Sequence, residues 1–283
     1  MRVEKINLYQ QYDNCEKKMG RAGELMCWVT ETSQAVSLSR TRPAVLILPG
    51  GGYHHTSPRE AEPIALRFIT KGYAAFVLHY SCAPNRFPTA LREAAMAMRW
   101  IRERAEEFNI DPRQVAVIGF SAGGHLCGTL GTLYDDPVLA DLGDAQLLRP
   151  DALGLCYPVA VSWGLTHEGS FTNLCGDDRI LRERLSLERL VRPDMPPVFL
   201  WHTRDDESVP CRNTLLLAQA LEEQRVDFTM HIYRHGRHGL STADAMAYPA
   251  FGLPEVSWDV PGWLDSMLRF LNEIGFEIRD CEV

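Results

Sequence analysis

Short apolar runs alternate along this chain with stretches whose apolar positions recur every three or four residues. Strand-length apolar runs fall at residues 44–48, 74–78, 115–120, 152–156, 198–201 and 228–233. Runs of this kind predict strands covered on both faces. The clearest helical stretch is 91–108. There Leu91, Ala94, Ala95, Met98, Ile101, Ala105 and Phe108 form one stripe, and Asn109-Ile110-Asp111-Pro112 closes it because a residue before proline resists the helical region. Later helices are predicted at 215–221 and 263–271. The alternation predicts an α/β fold with a mostly parallel central sheet and helices on both faces. The first 40 residues are more polar, with room for antiparallel edge strands, for example around 24–30. Residues 159–197 break the rhythm with Gly, His, Asn, Pro and the charged stretch Asp177-Asp178-Arg179-Ile180-Leu181-Arg182-Glu183-Arg184. This excursion reads either as a short lid over the sheet's C-terminal edge, where open α/β sheets bind ligands, or as a plain surface insertion. No repeat, low-complexity tract or linker divides the 283 residues, so one domain is expected.

Composition removes whole classes of function. Lys+Arg 29 against Asp+Glu 37 leaves a net charge of −8, with no basic run to meet nucleic acid or an anionic membrane. No apolar stretch approaches the ~20 residues of a spanning helix, and the first residues lack a signal-type apolar core. The eight cysteines are scattered without a Cys-x-x-Cys pair, several inside apolar runs. A reduced, cytoplasmic protein without disulfides, metal or cofactor is expected.

The chemistry begins at residues 115–125, where a strand runs into Gly119-Phe120-Ser121-Ala122-Gly123-Gly124-His125 and a helix of small residues. Gly-x-Ser-x-Gly between strand and helix is the arrangement of a nucleophile elbow: the serine sits on strained backbone at the tip of a sharp turn, and the glycines leave room for neighbouring backbone. An ordinary strand-to-helix turn is the alternative. A serine hydroxyl needs a base and a group that orients the base. His125 lies on the helix after Ser121 and points along it, which gives it a structural role. His79 and His231 fall within strand runs, His202 follows a strand and shapes the next loop, and His167 lies in the excursion. His235 and His238, in the loop after 228–233, remain. His238 is favoured because Gly239 lets its ring approach the nucleophile, with His235 the alternative. The acid belongs in the loop after 198–201, where Asp205, Asp206 and Glu207 compete and position alone does not choose among them. Leu48-Pro49-Gly50-Gly51-Gly52-Tyr53 ends an early strand in three glycines, which suits an oxyanion hole built from backbone N–H groups of Gly51, Gly52 and Ala122. A phosphate-binding loop is the rival, but Gly-Lys-Ser/Thr and Gly-x-Gly-x-x-Gly spacings are both missing.

With these residues in hand, the sequence resembles the α/β-hydrolase superfamily, and within it a bacterial branch of small serine esterases that includes acetylxylan- and feruloyl-esterase-like enzymes. The matching stretches run from about residue 44 to 240: Pro49-Gly50-Gly51-Gly52-Tyr53 with Arg59-Glu60, Gly72-Tyr73-Ala74, Gly119-Phe120-Ser121-Ala122-Gly123-Gly124-His125-Leu126, Asp205-Asp206 with Val209-Pro210, and Arg237-His238-Gly239-Leu240. The resemblance implies a catalytic triad of Ser121, Asp205 and His238, the first aspartate being the usual acid in such loops. Pro49 stands where the hormone-sensitive-lipase-like branch has histidine, which points to the carbohydrate-esterase-like branch. Glu93 stands where many relatives have Asp, and no function attaches to it. The implied reaction is hydrolysis of small acyl esters, acetyl or similar, on a carbohydrate or related alcohol, without cofactor. The alternatives are a formamidase, lactonase or small peptidase with the same triad, and a non-catalytic binding protein on this fold. Acyl group, alcohol and oligomeric state stay open at this point.

Overall fold

The computed structural model describes residues 1–12, 23–31, 40–248 and 255–280. Its centre is one twisted sheet of β1 (Arg2–Asn7), β2 (Glu24–Val29), β3 (Arg40–Leu48), β4 (Ala74–His79), β5 (Ile110–Phe120), β6 (Ala152–Cys156), β7 (Val198–Thr203) and β8 (Phe228–Tyr233). Across the sheet the order is β1-β2-β4-β3-β5-β6-β7-β8. The strands from β4 to β8 in that order pair in parallel, while β2 joins β4 and β1 joins β2 antiparallel. A two-residue strand, β9 (Arg279–Asp280), pairs with the start of β3.

The six apolar runs all became strands, and strand alternation explains their composition. Ala44, Leu46 and Leu48 of β3 face one apolar layer, whereas Val45 and Ile47 face the other. Both faces of the central strands are therefore packed with apolar side chains. The first layer is closed by α3 (Thr89–Glu103), α4 (Ala122–Leu133) and α9 (Arg212–Glu223). The second is closed by α2 (Glu62–Ile69) and α10 (Trp263–Glu273). At the edge, β1 alternates between exposed and half-buried residues.

Two expectations shift. The helix predicted over 91–108 ends at Glu103, because Arg104 and Ala105 donate to carbonyls only three residues back and tighten the chain out of the α-helix. Ala105 and Phe108 still pack into the core, so the apolar stripe marked burial correctly and overran the hydrogen bonding. The polar N-terminus does supply antiparallel strands, but β2 lies inside the sheet and only β1 is an edge. The excursion 159–197 folds into α6 (Glu168–Cys175), α7 (Arg179–Arg184) and α8 (Leu187–Leu190), after the short α1 (Leu8–Gln11) and α5 (Ala145–Leu148) earlier in the chain. Cys27, Cys82, Cys127, Cys156, Cys175 and Cys211 are free thiols, and Cys15 and Cys281 lie outside the described residues. Among the described residues no helix is long and apolar enough to cross a membrane.

The chain leaves β3 to one side for β4, then returns to place β5 on β3's other side. That reversal opens a crevice beyond the C-terminal ends of β3 and β5, the position where open α/β sheets hold ligands.

Candidate active site

Ser121 occupies this crevice. It joins β5 to α4 with φ 53° and ψ −117°, a left-handed conformation for a residue with a Cβ. Such backbone costs about 1–3 kcal/mol and persists only where the surroundings enforce it. Here they do. A Cβ on Gly119 would lie 2.0 Å from the Gly123 carbonyl oxygen, and one on Gly123 would lie 2.1 Å from that of Leu48. The two glycines let β3, β5 and α4 close around the serine, whose hydroxyl faces the crevice at the helix N-terminus.

His238, in the loop after β8, reaches Ser121 Oγ with Nε2 at 2.7 Å. Its Nδ1 lies 2.6 Å from Asp206 Oδ2. An ionised carboxylate can only accept, so Nδ1 carries the proton and Nε2 is left to accept the Ser121 hydroxyl. The hydroxyl donates, as a nucleophile facing its base should. The histidine that meets Ser121 is therefore His238, the one favoured from sequence as base.

The carboxylate that meets His238 is Asp206 and not the expected Asp205. Asp205 is half-exposed and turned away, its Oδ2 3.0 Å from His235 Nδ1 and its Oδ1 accepting the Gly236 N–H at 2.8 Å. Asp206 is the buried neighbour whose carboxylate meets His238. The reason is local: Asp206 Oδ1 accepts the N–H groups of Ser208 and Val209, folding the loop into a tight turn that aims its other oxygen inward. Consecutive side chains then diverge, and Asp205 falls outside. Glu207 points into a neighbouring cleft with Asp205 and His235. His235, the alternative base, is tied to Asp205 and to Ser257 instead of Ser121.

Burial alone would push Asp206's pKa up. It is outweighed by hydrogen bonds from His202 and His238, the positive field of His238 and the Val209 N–H, so the carboxyl is held well below the usual range. His202 is fully buried. Its Nε2 donates to the Val209 carbonyl at 2.8 Å and passes 3.3 Å from Asp206 Oδ2, and its Nδ1 faces the Thr214 hydroxyl at 2.7 Å. The histidine expected to shape the loop does so by holding the Val209 carbonyl beside the Asp206 carboxylate.

Gly51 and Gly52 turn at the end of β3 with φ 129° and 64°. Gly51 presents its carbonyl to His54 and His55, and Gly52 presents its own to Asn173 of α6. Neither N–H is spent on an acceptor among the described residues. With Ser121, His167, Asn173 and His238 these two glycines line a cleft of about 360 Å³. The 159–197 excursion thus forms one wall of the site, and His167 and Asn173 are contacts that the sequence did not reveal. Among the described residues no group of three or more His, Cys, Asp or Glu is placed to hold a metal.

His125 has the structural role expected of it. Fully buried, its Nε2 donates to the Leu185 carbonyl at 2.7 Å and its Nδ1 accepts from the Tyr53 hydroxyl at 2.8 Å, joining the excursion to the glycine loop. Burial pushes its pKa down to about 4. The unfolded chain takes up this proton near pH 6.5. The stabilising contribution of neutral His125 is therefore present above pH 6.5 and is lost as pH falls toward 4. A shift of this size corresponds to about 3 kcal/mol. Urea unfolding at pH 7, 5.5 and 4.5 should show falling stability with a shallower slope in His125→Gln, and equal slopes would contradict the assignment.

Comparison with known proteins identifies relatives of this fold. The BD-FAE family model matches residues 34–146, and the prolyl oligopeptidase family model matches residues 175–250. Endo-1,4-beta-xylanase B of Butyrivibrio fibrisolvens is 37% identical over 72% of this chain and 33% of its own length. Acetylxylan esterase of Xylanibacter ruminicola is 27% identical over 79% of this chain and 45% of its own. The chain thus spans between a third and a half of these two curated relatives. The acetyl ester-xyloside bifunctional hydrolase of Caldicellulosiruptor lactoaceticus superposes with a TM-score of 0.81 at 34% identity, covering 96% of this chain and 97% of that one. The carboxylesterase Cest-2923 of Lactobacillus plantarum gives 0.81 at 27% identity, with 98% of each chain covered. Sheet order, elbow and relatives agree, and the chain belongs to the α/β-hydrolase superfamily, in its carbohydrate-esterase-like branch.

Proposed function

We propose that this protein is a serine esterase that removes small acyl groups, acetyl first among them, from carbohydrates or similar alcohols. The observation that carries the reading is the hydrogen-bonded chain from Ser121 through His238 to Asp206, beside a cleft edged by unspent backbone N–H groups. Ser121 Oγ adds to the ester carbonyl carbon as its proton passes to His238 Nε2. The carbonyl oxygen becomes an oxyanion facing the N–H groups of Gly51, Gly52 and Ala122, the last at the start of α4 where helix N–H groups lack intrahelical partners. Asp206 fixes the tautomer of His238 and stabilises its charged form. Collapse breaks the bond to the alcohol, which leaves with the proton from Nε2. Water, deprotonated by His238, then attacks the acyl-enzyme, and the acid departs as Ser121 regains its proton.

The acyl preference follows from the cleft. Among the described residues its walls carry His55, Arg59, His167 and Asn173 and no long aliphatic side chain. An apolar trough would add ~0.8 kcal/mol for each methylene buried. The relatives described as an acetylxylan esterase and an acetyl ester-xyloside hydrolase support an acetylated sugar as substrate. With 4-nitrophenyl esters, kcat/KM should be highest at acetyl or propionyl and fall toward octanoyl. A steady rise to octanoyl would overturn the acyl assignment. Absence of turnover on every ester, with no labelling of Ser121 by a sulfonyl fluoride, would overturn the esterase itself.

A further inference from the structure

Glu60 is a buried carboxylate beside the cleft that the triad does not use, 3% exposed in a chain whose acidic residues mostly face solvent. Burying a carboxylate is costly unless its oxygens are satisfied, so its partners indicate its task. Oε2 accepts the Gly50 N–H at 2.8 Å, and Oε1 accepts the Tyr157 hydroxyl at 2.7 Å. The Tyr157 oxygen in turn accepts the Ser241 N–H at 2.9 Å. The Tyr157 ring stands edge-on to the His238 ring, centroids 5.1 Å apart. Gly50 immediately precedes Gly51 and Gly52, which line the cleft with N–H groups unspent among the described residues, and Ser241 lies three residues past His238.

We infer that Glu60 is a positioning residue that sets the oxyanion loop and the catalytic histidine at once; this rests on the esterase reading above. By occupying the Gly50 N–H it fixes the turn so that the next two N–H groups are the ones presented to the oxyanion. The fit leaves no slack. A Cβ on Gly50 would lie 2.7 Å from Glu60 Oε2 and 3.0 Å from Ser121 Cβ, so carboxylate, loop and nucleophile are packed against one another. Through Tyr157 the same side chain supports the flank of His238 and the loop that follows it. The Glu60 turn is itself anchored, since Ser57 N–H donates to the Gly50 carbonyl at 2.8 Å and the Ser241 hydroxyl donates to the Arg59 carbonyl.

The chemistry explains why the residue is glutamate. Both partners offer a donated hydrogen, and the Tyr157 oxygen already accepts from Ser241. A carboxylate meets two donors with two acceptors. Glutamine would turn an NH₂ toward one of them, and aspartate is a methylene too short to hold both.

The test uses the full chain and 4-nitrophenyl acetate. Glu60→Gln should lower kcat by about 10²-fold, the cost of displacing groups around a reacting centre by about 1 Å, with KM changed less than threefold. Binding of a trifluoromethyl ketone, whose adduct with Ser121 presents an oxyanion, should weaken by the same factor as kcat/KM. Tyr157→Phe should give a smaller loss in the same direction, and combining it with Glu60→Gln should cost less than the product of the two. Should Glu60→Gln not fold, Tyr157→Phe and Glu60→Asp carry the test by the same readouts. Retention of kcat within threefold, or a lowered melting temperature with kcat and ketone affinity intact, would reduce Glu60 to a structural residue and overturn the inference. Inactivity of the wild-type chain in the same assay would instead overturn the esterase reading.

Discussion

Asp206→Asn is expected to lower kcat by about 10⁴-fold, while Asp205→Asn stays within about tenfold of wild type. The effect of the first is a matter of tautomer. Asp206 accepts the His238 Nδ1 proton at 2.6 Å, which leaves Nε2 free to receive the proton of Ser121. An asparagine keeps the shape, and its oxygen is contested by the Ser208 and Val209 N–H groups and by His202. Turning its NH₂ toward Nδ1 stabilises the other tautomer, in which Nε2 already bears a proton and cannot act as base. In a well-studied serine protease the same change costs about 10⁴ in kcat. Asp205 touches His235 and the Gly236 N–H, so losing its charge loosens the loop that carries His238 without altering the triad's protons. Steady-state kinetics on 4-nitrophenyl acetate decide the matter. The reverse order of the two variants would return the acid's role to Asp205. A loss below tenfold in both would place it elsewhere, with Glu207 next.

That correction shows where the sequence was readable. Ser121 could be found because its requirements are local: a strand, a left-handed turn and two glycines with no room for a Cβ, all within five residues. His238 followed from chain order and from Gly239. The two aspartates differ in nothing that composition or chain order records. They differ in a turn. In it Asp206 caps the N–H groups two and three residues ahead, those of Ser208 and Val209, and Pro210, which lacks an N–H, follows directly. Pro210 excludes only Glu207 from such a cap, because Asp205 and Asp206 both have N–H groups two and three residues ahead, so the acidic pair was not resolved by the sequence. The contacts of Asn173 with Gly52 and of Tyr157 with Glu60 were out of reach for another reason. Asn173 meets Gly52 across 121 residues and Tyr157 meets Glu60 across 97, and no periodicity foretells such pairings. The same division holds for the fold. The runs buried on both faces were legible as strands, while the end of α3 was not, because Ala105 and Phe108 stay apolar and buried after the helical hydrogen bonds have stopped.

Ser121→Ala, His238→Ala and the double variant are each expected to fall to the same floor, about 10⁶-fold below wild type in kcat. The single hydrogen-bonded chain requires it. Without the serine oxygen, His238 has no positioned side-chain nucleophile to deprotonate and no acyl-enzyme can form. Without the imidazole, Ser121 keeps its proton at neutral pH and remains a weak nucleophile. Either loss removes the whole covalent route, so the second has almost nothing left to remove. If the two residues acted independently, their losses would multiply to about 10¹², about a millionfold below the shared floor. What remains at the floor is the contribution of the cleft and of the N–H groups we propose for the oxyanion, those of Gly51, Gly52 and Ala122, of order 10³–10⁴ over the uncatalysed reaction in comparable enzymes. The double variant should therefore lie within about threefold of either single one. The measurement is kcat for 4-nitrophenyl acetate, with burst titration to exclude traces of wild-type enzyme. Above one per cent residual activity in Ser121→Ala would mean that another nucleophile acts. A further hundredfold loss in the double variant would mean that His238 does catalytic work apart from Ser121, which a bond of 2.7 Å between them gives no reason to expect.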